Sequence, residues 1–226
     1  MVRVLADMQS VNETQRQPSP AAKPQPLAFY RGKLWIGCWD NNKIYGIEPA
    51  NWDVTDEVEA PGRPYGIAAH GDGLRVVVAL DDDDRYLFRF APGRGFEASS
   101  KLACPDVSGS HLASDGKTLY LCQQGLRRIV ALDDRAEITR EIALTTRCAG
   151  FAFDASGSAY MIAADADFDN LEFARVDLSQ GQAEVERIAT ISPEARGLTT
   201  ADGSWWTSYR EENDVVNFTV QPQPGS

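Results

Sequence analysis

The sequence predicts an all-β protein, a five-bladed β-propeller with four-stranded antiparallel blades, and three observations carry that expectation. First, a glycine-anchored strand–turn–strand unit recurs at Gly66 (YGIAAHGDG), Gly109 (SGSHLASDG), Gly150 (AGFAFDASG) and Gly197 (RGLTTADG), with separations of 43, 41 and 47 residues. A further 41 residues before Gly66 lies Gln25, where QPLAFYRG has the same shape without the first glycine. Second, each anchor is followed by short β-rich runs punctuated by Gly, Asp and Pro, and a period near forty residues suits one four-stranded blade. Third, the last unit is one strand short, while the N-terminus carries a spare β-like segment.

The stretch 63–91, RPYGIAAHGDGLRVVVALDDDDRYLFRFA, shows the unit most clearly. A strand at 65–69 meets a turn at 70–73, a second strand at 75–80 meets a charged loop at 81–85, and a third strand runs over 86–90. Corresponding second strands are expected at 33–38, 118–122, 159–163 and 205–208. Third strands are expected at 43–47, 128–132, 172–177 and 215–220, and fourth strands at 54–59, 96–103, 137–144 and 184–191. The blades thus begin near residues 25, 66, 109, 150 and 197, and the propeller spans 25–220. Residues 2–8, within an N-terminal segment 1–9, are expected to supply the missing outer strand of the last blade and so close the seam of the ring. Residues 10–24, polar and proline-rich, read as an extended, mobile tether, and 221–226 as a disordered tail. A β-sandwich with coincidental spacing is the competing architecture, but it leaves the matching missing strand unexplained.

Composition narrows the function classes. The formal net charge of −11, from 22 basic and 33 acidic residues, argues against a nucleic-acid backbone or an anionic membrane as partner. The four cysteines, Cys38, Cys104, Cys122 and Cys148, form no CxxC pair, so neither a zinc site nor a disulfide framework is expected. The N-terminus MVRVLADMQS has no apolar stretch of signal-peptide type. A soluble cytoplasmic protein with free thiols is the expectation.

The units RPYGIAAHGDG and CAGFAFDASGSAYMI resemble the repeats of NHL proteins, virginiamycin B lyases and the gluconolactonase-like (senescence-marker) superfamily, over about residues 25–220. The count of five blades is similar to that of plant-type glutaminyl cyclases. This resemblance implies the propeller fold and small-molecule chemistry at the mouth of the central channel. In gluconolactonase-like enzymes it further implies Asn, Asp or Glu just before the anchor, holding a divalent metal. Here those positions are Pro24, Tyr65, Ser108, Ala149 and Arg196, so that metal site is not matched. The opening motif of glutaminyl cyclases is represented only by Gln25-Pro26.

In a propeller, the loops entering each inner strand and the loops joining second to third strands meet on one face. Three residues before the anchors stand Arg63, Asp106, Arg147 and Glu194, with Arg196 nearby. Arg63, Arg147 and Arg196 are candidates for holding a carboxylate or phosphate, because a guanidinium offers such anions paired donors; pairing of Arg63 and Arg147 with Asp106, Glu194 and the neighbouring acidic loops is the alternative. Fifteen residues after the anchors come Asp40, Asp81, Gln124 and Asp165. Asp40 and Asp81 are candidate ligand-binding residues. Asp165, Asp167 and Asp169 have the alternating spacing of calcium loops without the EF-hand Gly and Glu, and are the candidate site for calcium or magnesium, although no cofactor is required by this reading. Trp39, Tyr65 and Tyr209 are candidate pocket walls, Ser108 a candidate polar contact, and one of Trp205 and Trp206 is expected to fill a wedge between blades. His111 replaces the small or apolar residues of the other inner strands, so it is the candidate acid or base, with Asp106 as its catalytic companion; a buried, structurally satisfied histidine is the alternative. Ser110 alternates away from His111, which argues against a Ser–His–Asp triad. The expectation is a hydrolase, lyase or isomerase acting on a small anionic molecule. The alternative is a non-catalytic module that binds a peptide, protein or metabolite.

Overall fold

The computed structural model describes residues 8–81 and 83–220. Five four-stranded antiparallel sheets form the blades. Blade 1 holds β2 (Pro24–Tyr30), β3 (Lys33–Cys38), β4 (Lys43–Glu48) and β5 (Asp53–Glu59). Blade 2 holds β6 (Arg63–His70), β7 (Gly73–Ala79), β8 (Arg85–Ala91) and β9 (Gly95–Ala103). Blade 3 holds β10 (His111–Ser114), β11 (Leu119–Gln123), β12 (Arg128–Leu132) and β13 (Ile138–Ala143). Blade 4 holds β14 (Arg147–Phe153), β15 (Ala159–Ala164), β16 (Leu171–Asp177) and β17 (Glu184–Ile191). Blade 5 holds β18 (Ala195–Ala201), β19 (Ser204–Tyr209) and β20 (Asp214–Thr219), and its outer strand is β1 (Asn12–Pro18).

The closing strand corrects the sequence expectation. It lies inside the segment read as a tether, and residues 2–7 of the expected strand, like the tail at 221–226, fall outside the described residues. β1 pairs antiparallel with β20 from Asn12↔Thr219 to Pro18↔Asp214. Tyr209 Oη donates to Glu13 Oε1 at 2.8 Å, and Trp52 Nε1 of blade 1 donates to the Pro18 carbonyl at 2.8 Å, so the strand ties blade 5 to blade 1. Just before it, Val11 N donates to Thr190 O at 2.9 Å and Thr190 N to Gln9 O at 3.0 Å, which anchors the incoming chain on blade 4.

Buried apolar residues gather at each of the five contacts between neighbouring blades. Trp35, Val76 and Phe90 pack blade 1 on blade 2; Val77, Leu121 and Val130 pack 2 on 3; Cys122, Phe151 and Met161 pack 3 on 4. Phe173, Leu198 and Phe218 join 4 to 5, and Leu34, Ile36, Trp206 and Val215 join 1 to 5. Burying each such side chain is worth roughly 1.5–3 kcal/mol, so a ring with no open face is the favoured arrangement. Trp205 and Trp206 both fill wedges, on opposite sides of β19: Trp205 against Tyr160 and Phe173, Trp206 stacked on Trp52 at 5.8 Å.

Around the axis the inner strands touch backbone to backbone. A side chain on Gly66 would meet Leu112 N at 2.9 Å, and one on Gly197, whose φ is +67°, would meet Gln25 O at 2.3 Å. Only glycine tolerates both that conformation and that approach. No helix among the described residues is long and apolar enough to cross a membrane.

Candidate functional site

The inner strands of blades 1, 2, 4 and 5 all lose register where they enter the sheet. Shifts fall between Pro24 and Leu27, Pro64 and Gly66, Cys148 and Gly150, and Arg196 and Thr199. Bulges re-aim the side chains beside them, and these are the positions that carry Arg63, Tyr65, Arg147 and Arg196. Pro26 and Pro64 fit here because the inner strand's axial edge needs no N–H donor.

The result is an arch of guanidinium and aromatic groups over one face. Arg63 and Arg210 lie over the Trp39 ring at 5.6 and 4.9 Å, Trp39 and Tyr65 are 4.6 Å apart, and Arg85 lies over Tyr65 at 3.8 Å. On the blade 4 side, Arg147 and Arg196 lie over Phe168 at 5.5 and 5.0 Å. Each contact is a cation–π interaction that fixes an otherwise mobile arginine. Trp39 is itself held by an indole hydrogen bond to Pro64 O at 2.6 Å. Of these, Arg63, Arg147, Arg196, Trp39 and Tyr65 are candidates from the sequence; Arg85, Arg210 and Phe168 join them in the structure, and their only sequence signal is a place at the edge of a second-to-third-strand loop.

The expected neutralisation of Arg63 and Arg147 by Asp106 and Glu194 does not occur. Asp106 is ion-paired with Arg128, which also binds Glu141 at 2.6 Å and Gln123 Oε1 at 2.6 Å. Glu194 accepts the Glu211 backbone N–H at 3.2 Å. Among the described residues, Arg63, Arg147 and Arg196 form no ion pair. Arg196 donates to the carbonyls of Pro193 and Ala195, both at 2.8 Å. Burial, and then the charge of Arg210, push its pKa down to about 10 against the pull of Glu194 and Glu211; it remains cationic at neutral pH.

His111 is 4% exposed at the start of the shortest inner strand. No described residue hydrogen-bonds its ring, and its nitrogens keep only a trace of exposure, since no wholly buried side-chain polar atom among the described residues lacks a partner. Burial, then Arg196 and Arg210, push the imidazole pKa down to about 3, so it is neutral at physiological pH. The structure does not join His111 to Asp106, whose carboxylate is taken by Arg128. Ser108 lies in the loop preceding His111, and its carbonyl accepts from Gln123 Nε2 at 2.9 Å.

The remaining candidates fall elsewhere. Tyr209 is buried toward the closing strand, where its hydroxyl binds Glu13; burial and that carboxylate push its pKa up. Asp40 and Asp81 are exposed. Asp165 is held by its own loop, accepting from Asp169 N at 3.0 Å and Asn170 Nδ2 at 2.6 Å; the Asn170 bond leads in holding its pKa below the usual carboxylate range. Asp167 and Asp169 are exposed, and no three His, Cys, Asp or Glu side chains among the described residues converge as metal ligands. Cys148 is buried, its Sγ near Gly150 O at 3.3 Å.

A concavity of about 770 Å³ lies on the opposite face between blades 3 and 4, lined by Asp115, Tyr120, Arg140, Phe153 and Asp177 among others. Several of its polar groups are engaged internally: Asp115 accepts from Lys117 N and Thr118 N, Arg140 donates to Leu178 O and Gln180 O, and Asp177 accepts from Ser179 N.

These features define a five-bladed β-propeller with an arginine-rich, aromatic-lined mouth. No family model matches the chain, and no curated protein matches it in sequence. Solved structures do match its fold. Glutaminyl cyclase of Myxococcus xanthus aligns with a TM-score of 0.69 and 13% identity, covering 94% of this chain and 97% of that one. The calcium-binding protein regucalcin of Agrobacterium tumefaciens aligns at 0.57 and 14%, covering 94% and 95%. Virginiamycin B lyase of Staphylococcus aureus aligns at 0.51 and 12%, covering 92% and 99%. The chain also aligns with hydrazine synthase of Kuenenia stuttgartiensis at 0.55 and 18%, but spans only 57% of that chain. At these identities the likeness is one of fold.

Proposed function

We propose that the protein takes up a small anionic molecule at the channel mouth and acts on it as a hydrolase, lyase or isomerase. The observation that carries this reading is that Arg63, Arg147 and Arg196, none ion-paired among the described residues, lie on aromatic rings at the entries of the inner strands, with Arg196 and Arg210 near enough to the His111 ring to join burial in lowering its pKa. Guanidinium groups so placed hold a carboxylate or phosphate and stabilise negative charge that develops on it. His111 then faces the bound molecule as a neutral imidazole able to accept or donate a proton. Propeller relatives in fold include a lyase, and a histidine-to-alanine variant of virginiamycin B lyase is catalytically inactive. A divalent cation at Asp165, Asp167 and Asp169 has no part in this reading.

The second reading, a non-catalytic binding module, is favoured by one observation: His111 is buried beside Arg196 and Arg210, which pushes its pKa down to about 3 and makes it a weak base. Isothermal titration of a carboxylate and phosphate panel, followed by turnover assays on whatever binds, separates the two. Binding to the wild type that falls at least tenfold in Arg196→Gln supports the anion site, and failure of every anion to bind overturns it. Turnover lost in a folded His111→Ala variant supports the enzyme; binding without turnover leaves the module.

A further inference from the structure

We infer that the molecule held at the mouth is a small dianion, bound by two arginine–aromatic groups; this rests on the mouth being the anion site. The groups adjoin where Arg196 of one lies in the field of Arg210 of the other. One group is Arg147 and Arg196 across the Phe168 ring from blades 4 and 5. The other is Arg63 and Arg210 on the Trp39 ring, with Arg85 on the adjoining Tyr65, from blades 1, 2 and 5. Two of these five arginines already have carboxylates: Arg85 binds Asp83 at 3.0 Å and Arg210 binds Glu211 at 3.0 Å. The other three form no ion pair among the described residues, and they are divided between the groups, Arg63 in one and Arg147 with Arg196 in the other. A monoanion can satisfy one group and leaves cationic charge uncompensated in the other. In a chain with 33 acidic side chains against 22 basic ones, local carboxylates were available to pair with both, yet Asp106 is turned to Arg128, and Glu194 accepts the Glu211 amide and acts on Arg196 only through its field. The charge is reserved in two places, and the complementary ligand carries negative charge at two places, as in a dicarboxylate or a phosphorylated carboxylic acid. His111, neutral between the groups' contributing strands, suits an uncharged hydroxyl or carbonyl on the body that links the two anionic ends.

The test compares matched pairs at constant ionic strength by isothermal titration: a short dicarboxylate such as succinate or glutarate against its monoamide, and a phosphorylated carboxylic acid against its carboxamide. The expected result is that each dianion binds at least tenfold more tightly than its singly charged partner, and that Arg63→Gln and Arg147→Gln each reduce this preference to less than threefold. Equal affinity within a pair while anions still bind overturns the dianion and leaves the anion site standing. Absence of binding by every member of the panel overturns the site itself. A melting temperature within a few degrees of wild type in each variant shows that the loss is not unfolding, and the two variants, drawn from different blades, check one another.

Discussion

Burial decides the chemistry of His111. Its ordinary pKa of 6.5 falls to about 3 because a charged imidazole would lose its hydration and face Arg196 and Arg210. Between those two values the unfolded chain binds a proton that the folded chain refuses, so stability falls as pH drops from 6.5 toward 3 and the contribution is complete above 6.5. The expected outcome for His111→Leu is a flatter pH dependence, with roughly 2 kcal/mol less acid destabilisation between pH 6.5 and 5, checked by thermal melts across that range. An unchanged slope would show that the ring is already solvated. Tyr209 is a second residue ruled by its surroundings: Tyr209→Phe is expected to cost about 1–2 kcal/mol by leaving Glu13 without its phenolic donor. Cys38, Cys104, Cys122 and Cys148 are all buried, and burial pushes Cys38 up to about 11 and Cys104 up to about 12. A thiolate is therefore scarce, and the native protein should not react with a thiol-specific disulfide reagent until denatured.

At the scale of elements, the inner and middle strands were legible because each is β-rich and bounded by Asp-Gly or similar turns. β1 was not legible. NETQRQP has no apolar face, since an outer strand is solvated on both sides, and it ends on a proline that is tolerated only at a strand edge. The same polar character marks DVTDEVE, the outer strand of blade 1, which was placed only by its position in the repeat. The mouth was half legible for a related reason. Spacing located the loops, but bulges decide which way a side chain turns, and a shift of one residue exchanges faces. Tyr209, placed at the mouth by its position, lies in a part of β19 that pairs regularly with β20, and its side chain faces the closing strand, while its neighbour Arg210 lies over Trp39. Two outcomes test the ring. Removing residues 1–18 should expose the edge of β20 and cost several kcal/mol, and an unaltered melting temperature would contradict the role given to β1. Gly197→Ala should also destabilise severely, since a methyl group there meets the Gln25 carbonyl at 2.3 Å.

For the whole molecule, two charge distributions matter. The chain as a whole is acidic, −11, while one face gathers five arginines on aromatic rings. The circular packing of five sheets brings those arginines together from three blades, 2, 4 and 5, with the Trp39 ring from blade 1, so the site exists only in the closed ring. The most direct measurement is nuclear magnetic resonance of the arginine Nε–Hε groups during titration with a dicarboxylate. Saturable shifts centred on Arg63, Arg147 and Arg196, with Arg16, Arg128 and Arg187 in their own ion pairs undisturbed, are the predicted result. Shifts confined to arginines away from the mouth, or uniform shifts that follow ionic strength alone, would contradict it.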